Sequence, residues 1–233
     1  MNPLLKVSDL HAWYGESHIL HGVNMTVNQG EMVCILGRNG MGKTTTLRSI
    51  MGIVRKRTGQ ITFNGQDVMA MSLHKAAHAG LGFVPEERGI FASLSVHENL
   101  MLPPKVADGG MSLEDIYRLF PNLLERRNSP GTKLSGGEQQ MLAMARILRT
   151  GSRCLLLDEP TEGLAPVIID AIGEVLRELK ARGMTVVLVE QNFRFAAKVA
   201  DRFYVMDHGA MIHEFPVGDL DARMDMLHET LGV

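Results

Sequence analysis

The stretch Gly37-Arg38-Asn39-Gly40-Met41-Gly42-Lys43-Thr44 decides the fold. It fits the pattern G-x-x-x-x-G-K-[ST], it follows the apolar run Met32–Leu36, and it precedes a helical pattern over about 43–53. Glycines let such a loop curl so that its N–H groups point at phosphate oxygens, and the helix that follows adds a partial positive charge. The stretch therefore predicts a phosphate site between a strand and a helix. The alternative, a chance Gly-rich turn, does not explain the flanking strand and helix.

The residue types in this loop predict how it would hold a nucleotide. Lys43 is expected to reach the β- and γ-phosphates of ATP, and the Thr44 hydroxyl is expected to ligate Mg²⁺. The candidate nucleotide-binding residues of this stretch are Gly37, Arg38, Asn39, Gly40, Met41, Gly42, Lys43, Thr44 and Thr45.

A second motif places two acids at the end of an apolar strand, Leu155-Leu156-Leu157-Asp158-Glu159. The carboxyl ends of parallel strands are where such a sheet places its chemistry. We expect Asp158 to bind Mg²⁺ through water, and Glu159 to act as the catalytic base that orients the attacking water or takes its proton. An acid at a strand end is a weak signal alone, but together with the Gly-rich loop it indicates a nucleotide-hydrolysing enzyme.

Composition limits the class of protein. The chain has 233 residues, 45% of them hydrophobic and 21% charged, with a formal net charge of −2. These values are typical of a globular protein, and the missing basic excess argues against a nucleic-acid binder. No apolar run reaches the roughly 20 residues of a membrane-spanning helix, and the start lacks the build of a secretory signal. We therefore expect a cytoplasmic protein that reaches a membrane only through partners, and two reduced core cysteines, Cys34 and Cys154.

The order of predicted elements indicates a single domain over 1–233. Short strands and turns come first, strands then alternate with helices, and the middle of the chain is helical throughout. The predicted fold class is α/β, a parallel-sheet core of the P-loop NTPase (RecA-like) type with an N-terminal antiparallel β part and an inserted helical subdomain. The core is expected over about 1–90 and 151–233, and the helical subdomain over about 91–150.

A third motif, Leu134-Ser135-Gly136-Gly137-Glu138-Gln139, narrows the class. Here the chain resembles the ABC ATPase family, whose signature motif has this sequence. The resemblance implies that the signature residues Ser135, Gly136, Gly137 and Glu138 act on the ATP held by a partner protomer, in a head-to-tail dimer that sandwiches two ATP molecules. A simple Ser-Gly-Gly helix cap is the structural alternative.

The same resemblance assigns roles to three isolated positions. Tyr14 matches the aromatic residue that stacks on adenine, with a buried tyrosine as the alternative. Glu86 stands where the family usually has a Gln near the metal, and it is a third candidate Mg²⁺ ligand with Thr44 and Asp158. Gln191 replaces the usual switch histidine, and because an amide cannot exchange a proton near neutral pH, Glu159 is expected to act as base without a histidine.

These departures are shared by the smaller ATPase of branched-chain amino acid importers, which the chain resembles over nearly its whole length. The resemblance implies a homodimer or a heterodimer with a sister ATPase, two membrane permeases, a periplasmic solute-binding protein and a place on the inner face of a bacterial membrane. Ile90, Phe91, Leu94 and Val96 would help receive a permease helix, or are plain core. The alternatives are a urea or amide importer, and a non-transport ABC ATPase of DNA repair or translation.

Overall fold

A computed structural model describes residues 3–232 of the chain. Its N-terminal part forms a four-stranded antiparallel sheet made of β1 (Leu5–Tyr14), β2 (Ser17–Val27), β4 (Arg57–Phe63) and β5 (Gln66–Asp67). The strand order is β2-β1-β4-β5. A two-residue turn joins the first two strands, and Gly15 supplies the positive φ of 59° that this turn requires. The predicted antiparallel β part is therefore confirmed.

The second sheet has six strands and forms the centre of the fold. They are β3 (Met32–Leu36), β6 (Leu81–Val84), β7 (Cys154–Asp158), β8 (Thr185–Glu190), β9 (Arg202–Asp207) and β10 (Ala210–Pro216). Their order is β10-β9-β3-β8-β7-β6. Strands β9, β3, β8, β7 and β6 run parallel, as predicted, whereas β10 is antiparallel to β9 and was not predicted. Strands β3, β7 and β8 are buried along their whole length, which explains their continuous apolar sequences.

Five of the nine α-helices of the described residues begin at a Ser or Asn whose side chain caps the helix start. The nine are α1 (Lys43–Ile50), α2 (Leu73–Ala79), α3 (Val96–Met101), α4 (Leu113–Leu119), α5 (Pro121–Glu125), α6 (Gly136–Leu148), α7 (Pro166–Ala181), α8 (Phe193–Ala196) and α9 (Met224–Leu231). Ser95, Ser112 and Ser135 each form a capping box with the acid three residues later, which satisfies two backbone N–H groups that a helix start would otherwise leave unpaired. Helix α9 was not predicted, and α5 lies within the predicted helical middle of the chain.

Two hydrophobic clusters cover the two faces of the central sheet. Cys34 and Leu36 of β3 pack with helices α3 to α7 and α9, whereas Val33 and Ile35 pack with the antiparallel sheet and α1. The alternation along one strand thus sorts its side chains between two layers. Both cysteines are buried free thiols, as predicted. Within residues 3–232, no helix is both long and apolar enough to cross a lipid bilayer.

The parallel register brings three strand ends to one edge of the sheet. Leu36 pairs with Glu190, and Asp158 pairs with Val189. The loop after β3, the acids after β7 and the end of β8 therefore meet at the carboxyl edge, where open α/β sheets bind ligands.

Candidate functional site

The loop between β3 and α1 is a cradle for an anion. Gly40 and Gly42 have φ values of 82° and 105°, a backbone conformation that side chains rarely adopt. Gly42 occupies the N-cap of α1, and among the described residues no side chain caps that helix start. A Cβ on Gly42 would lie 2.9 Å from the Leu20 side chain. The first N–H groups of α1 are therefore available to an anion, which the positive end of the helix dipole favours.

The Lys43 ammonium is buried in this cradle, with 3% of the side chain exposed. It donates hydrogen bonds to the carbonyl oxygens of Gly37, at 2.7 Å, and of Arg38, at 3.1 Å. It also forms an ion pair with the Glu159 carboxylate at 2.9 Å, and that carboxylate is itself only 9% exposed. A buried cation needs a counter-charge, and Glu159 supplies it from within the chain.

Thr44 and Asp158 form the second polar pair of the site. The Thr44 hydroxyl donates to Oδ1 of Asp158 at 2.9 Å. Asp158 is fully buried, and its Oδ2 has no hydrogen-bond partner among the described residues. Burial raises the pKa of Asp158 to about 6, against the lowering effect of the Thr44 hydrogen bond. A buried carboxylate oxygen without a partner, beside a hydroxyl, is a donor set that suits Mg²⁺ and its water shell.

The backbone of Glu159 is strained. Its φ of 45° lies in the left-handed region, which costs a residue with a Cβ on the order of 1–3 kcal/mol. The surrounding structure holds it there: the Glu159 N–H donates to the Val189 carbonyl of β8 at 3.0 Å, and the Glu162 N–H donates back to the Glu159 carbonyl at 3.2 Å. Strand β8 and the turn after Glu159 thus aim the Glu159 carboxylate into the cradle.

Lys43, Thr44 and Glu159 line one cavity of about 340 Å³, the main cavity of the site. Asp158 is not among its lining residues in the described chain, but it accepts the hydrogen bond of Thr44, which does line the cavity. Tyr14 stands on the rim of the cavity with 47% of its surface exposed, and Glu86 faces the same space. The cavity therefore brings together the predicted loop, the predicted aromatic residue and the acids Glu86 and Glu159. Its lining residues are Tyr14, Ile19, Asn39, Gly40, Gly42, Lys43, Thr44, Thr45, Glu86, Glu159 and Glu162.

Several predicted residues lie outside this lining among the described residues. Arg38 has an exposed side chain and contributes its carbonyl to Lys43. Met41 packs its thioether against the N–H of His208, at 3.3 Å. Gln191 lines a neighbouring cavity with Phe193, and Glu162 borders both cavities. The side chains of Arg38, Met41 and Gln191 therefore stand apart from the main cavity in a single chain.

The signature residues also lie away from the main cavity in the described chain. Ser135 caps α6, and its hydroxyl accepts from the Glu138 N–H at 3.3 Å while Glu138 accepts from the Ser135 N–H at 2.7 Å. A Cβ on Gly137 would lie 2.5 Å from Ile168, so the close approach of α6 and α7 requires glycine there. Gly136 lies beside the Arg88 guanidinium. The motif forms a capped helix start next to α7.

The sequence analysis assigned no role to Glu190, a buried acid at the carboxyl edge of the sheet. It ends β8 at 2% exposure, and burial raises its pKa to about 7, while hydrogen bonds from Thr161 lower it. The Thr161 hydroxyl donates to it at 2.8 Å, and the Thr161 N–H at 3.2 Å. An acid ending an apolar strand was the signal that identified Asp158, and the same signal was present in β8. Glu162 and Ile19, which line the main cavity, were also assigned no role.

The fold and the cavity define a nucleotide-binding protein of the P-loop class. The ABC transporter family profile matches residues 20–162. The chain belongs to the ABC transporter family and is a nucleotide-binding ATPase of that family.

Two relatives are similar over most of their length. The high-affinity branched-chain amino acid transport ATP-binding protein BraG of Pseudomonas aeruginosa is 38% identical over 90% of this chain and 91% of its own. The lipopolysaccharide export system ATP-binding protein LptB of Escherichia coli K12 is 35% identical over 89% of this chain and 88% of its own. The resemblance to the ATPases of branched-chain amino acid transport is thereby confirmed.

A solved structure shows the same fold. The dimeric post-hydrolysis state of the ATP-binding cassette MJ0796, bound to ADP and Pi, has a TM-score of 0.78 and 26% identity. The match covers 91% of this chain and 98% of that chain. The predicted α/β fold class is confirmed.

Proposed function

We propose that this ABC ATPase powers an importer of branched-chain amino acids. The observation that carries the proposal is the 38% identity to BraG over 90% of the chain. In this proposal the chain is peripheral on the cytoplasmic face of the cell membrane, binds two permease subunits and serves a complex with a periplasmic solute-binding protein. The net charge of −2 is consistent with protein partners rather than nucleic acid.

The main cavity holds ATP by its phosphates. The N–H groups of the Gly37–Gly42 loop and the start of α1 bind the phosphate oxygens, and the Lys43 ammonium moves from Glu159 to the β- and γ-phosphates. Tyr14 on the rim stacks on the adenine. The position of Tyr14 and Lys43 on one cavity supports this orientation.

Thr44, Asp158 and Glu86 would hold Mg²⁺. Two observations support this assignment: Oδ2 of Asp158 has no hydrogen-bond partner within residues 3–232, and its Oδ1 accepts from the Thr44 hydroxyl. When bound, Mg²⁺ neutralises charge on the β- and γ-phosphates. Glu86 brings a carboxylate where the family usually has an amide, so it adds negative charge to this part of the site.

Glu159 is the base for hydrolysis. Its carboxylate accepts a proton from the water that attacks the γ-phosphorus, while Lys43 stabilises the charge on the phosphoryl group. Gln191 contributes hydrogen bonds but exchanges no proton. The 2.9 Å contact between Glu159 and Lys43 supports this role, because it places the carboxylate beside the group that binds the γ-phosphate.

Hydrolysis takes place in a dimer, with a second copy or a sister ATPase. The helical segment over about 91–150 acts as a subdomain that presents Ser135, Gly136 and Gly137 to the partner's ATP. The location of these residues outside the chain's own main cavity, and the dimeric state of the MJ0796 cassette, support this arrangement.

A second candidate function is lipopolysaccharide export. The 35% identity to LptB over 89% of the chain favours it, and the catalytic residues would act in the same way. The two candidates differ in the permeases that the chain binds and in the direction of transport.

Depletion of the chain in its host tests the two candidates. Uptake of labelled leucine and labelled urea is measured beside the amount of lipopolysaccharide at the cell surface. We expect leucine uptake to be lost, urea uptake and surface lipopolysaccharide to be unchanged, and rescue by the native chain but not by Lys43→Ala. Normal leucine uptake with depleted surface lipopolysaccharide would instead support export, and a selective loss of urea uptake would support a urea importer.

A further inference from the structure

The buried carboxylate of Glu190 connects the end of β8 to the loop that follows β7, at the carboxyl edge of the central sheet. It ends β8, next to Val189, whose carbonyl accepts the Glu159 N–H. Its Oε1 accepts two hydrogen bonds from Thr161, one from the hydroxyl at 2.8 Å and one from the backbone N–H at 3.2 Å. Both residues are buried, at 2% and 5% exposure. Water therefore does not compete for these bonds.

Glu190 binds the turn that follows Glu159, and the strained backbone of Glu159 requires contacts that hold this turn in place. Glu159 has a left-handed backbone, and such a conformation persists only when its surroundings fix it. One bond, from the Glu159 N–H to β8, holds the residue from the strand side. The two bonds from Thr161 to Glu190 attach the same turn to β8 at a second point, two residues further on.

We propose that Glu190 is a positioning residue for ATP hydrolysis: through Thr161 it fixes the turn that aims the Glu159 carboxylate. The proposal rests on the proposed role of Glu159 as the base. Glu190 does not line the main cavity among the described residues, so it acts without touching the nucleotide. Its loss should therefore slow the chemical step and leave nucleotide binding in place, because the hydrogen bonds that hold Lys43 to the Gly37 and Arg38 carbonyls do not involve Thr161.

The test uses the full chain and separates kcat from affinity. Steady-state phosphate release gives kcat and KM, and calorimetry gives the Kd of ADP with Mg²⁺. Glu190→Ala should lower kcat by on the order of 10- to 100-fold, which is the cost of a slightly misplaced catalytic group. The Kd of ADP should stay within about twofold. Glu190→Gln keeps an oxygen that accepts both Thr161 bonds, so we expect it to retain kcat within about threefold.

Two further variants complete the design. Thr161→Val keeps the shape and the N–H but loses the hydroxyl bond, so its kcat should lie between those of the native chain and Glu190→Ala, and it carries the test if Glu190→Ala fails to fold. Glu178→Ala, on the exposed face of α7, controls for the loss of a glutamate.

The outcomes are distinct. Native kcat in both Glu190→Ala and Thr161→Val would overturn the proposal, as would a loss of ADP affinity that matches the loss of kcat. A Glu190→Gln variant as slow as Glu190→Ala would also overturn it, because the charge, and not the Thr161 bonds, would then be what matters. Glu159→Gln is measured in parallel. If Glu159→Gln hydrolyses ATP at the native rate, the assignment of Glu159 as the base is wrong. If Glu159→Gln is inactive while Glu190→Ala is fully active, only the positioning role of Glu190 is refuted.

Discussion

Replacing Glu190 with glutamine should make the stability of the folded chain less sensitive to rising pH. Burial raises the pKa of Glu190 to about 7 from an ordinary value of 4.5, while hydrogen bonds from Thr161 and from the Asn192 N–H partly oppose this. The negative charge of Glu159 also raises it. Between pH 4.5 and about 7 the folded chain binds the proton more tightly than the unfolded chain. The stabilisation by the protonated form is therefore complete below pH 4.5 and is lost as the pH rises through about 7.

The size of the effect follows from the two pKa values. One pH unit of difference corresponds to about 1.4 kcal/mol of free energy. Ionisation of Glu190 therefore costs the native chain on the order of 2–3 kcal/mol of unfolding free energy between about pH 5 and about pH 8. The amide that Glu190→Gln introduces does not ionise, so this part of the pH dependence disappears. Contacts that the amide gains or loses, such as that with the Asn192 N–H, do not depend on pH and cancel in the comparison.

Urea denaturation of the nucleotide-free chain at both pH values measures this difference. The expected result is that the unfolding free energy of Glu190→Gln, relative to that of the native chain, rises by on the order of 2–3 kcal/mol between the two pH values. Glu16→Gln, whose side chain is 97% exposed, is the control and should show the native pH dependence. Parallel pH curves for Glu190→Gln and the native chain would refute the reasoning, because Glu190 would then ionise alike in both states.

Three other variants test the site. Lys43→Ala should raise the Kd of ATP, measured by calorimetry, at least about tenfold, since it removes a buried charged donor and leaves Glu159 unpaired; an unchanged Kd would contradict the assignment. Asp158→Asn should lower kcat by on the order of 100-fold at every Mg²⁺ concentration in a phosphate-release assay, and native kcat at ordinary Mg²⁺ would exclude the metal role. Ser135→Ala should lower the unfolding free energy by about 1 kcal/mol and also lower kcat. The matched variant Ser112→Ala, which removes the cap of α4, should lose similar stability but keep the native kcat. Equal effects of the two variants on kcat would show that Ser135 acts only as a helix cap.

The central strands and first helix could be predicted because their sequences carry strong local patterns. The elements that were missed have weak ones. Strand β10 (Ala210–Pro216) has one fully buried residue, Phe215, so it shows little alternation. Its existence depends on the tight turn at His208 and Gly209, both with positive φ. Helix α9 buries only Leu227 and Leu231, too few positions to establish a helical period.

Residues of the site that belong to a sequence motif could be predicted. Residues that only the fold brings to the site were harder to predict. Lys43, Thr44 and Asp158 follow from the motifs, and the structure brings them to one site. The motif says nothing about where the side chains at its variable positions point, and Met41 turns away from the cavity. Glu190 ends β8 as Asp158 ends β7, but no motif gave Glu190 a role, and its bonds to Thr161 depend on the pairing of β7 with β8.

The ion pair between Lys43 and Glu159 has a consequence for how a nucleotide enters. The cradle carries its own counter-ion, so a phosphate that uses Lys43 must displace a carboxylate rather than simply meet an unopposed cation. The affinity for a nucleotide therefore depends on how much more strongly its phosphate binds the Lys43 ammonium than the Glu159 carboxylate does. This competition disfavours phosphates that carry little charge or make few other contacts. If Lys43 binds the γ-phosphate as proposed, the same exchange releases Glu159 when the γ-phosphate takes its place. In the proposed mechanism, binding of the nucleotide and release of the base are therefore one event.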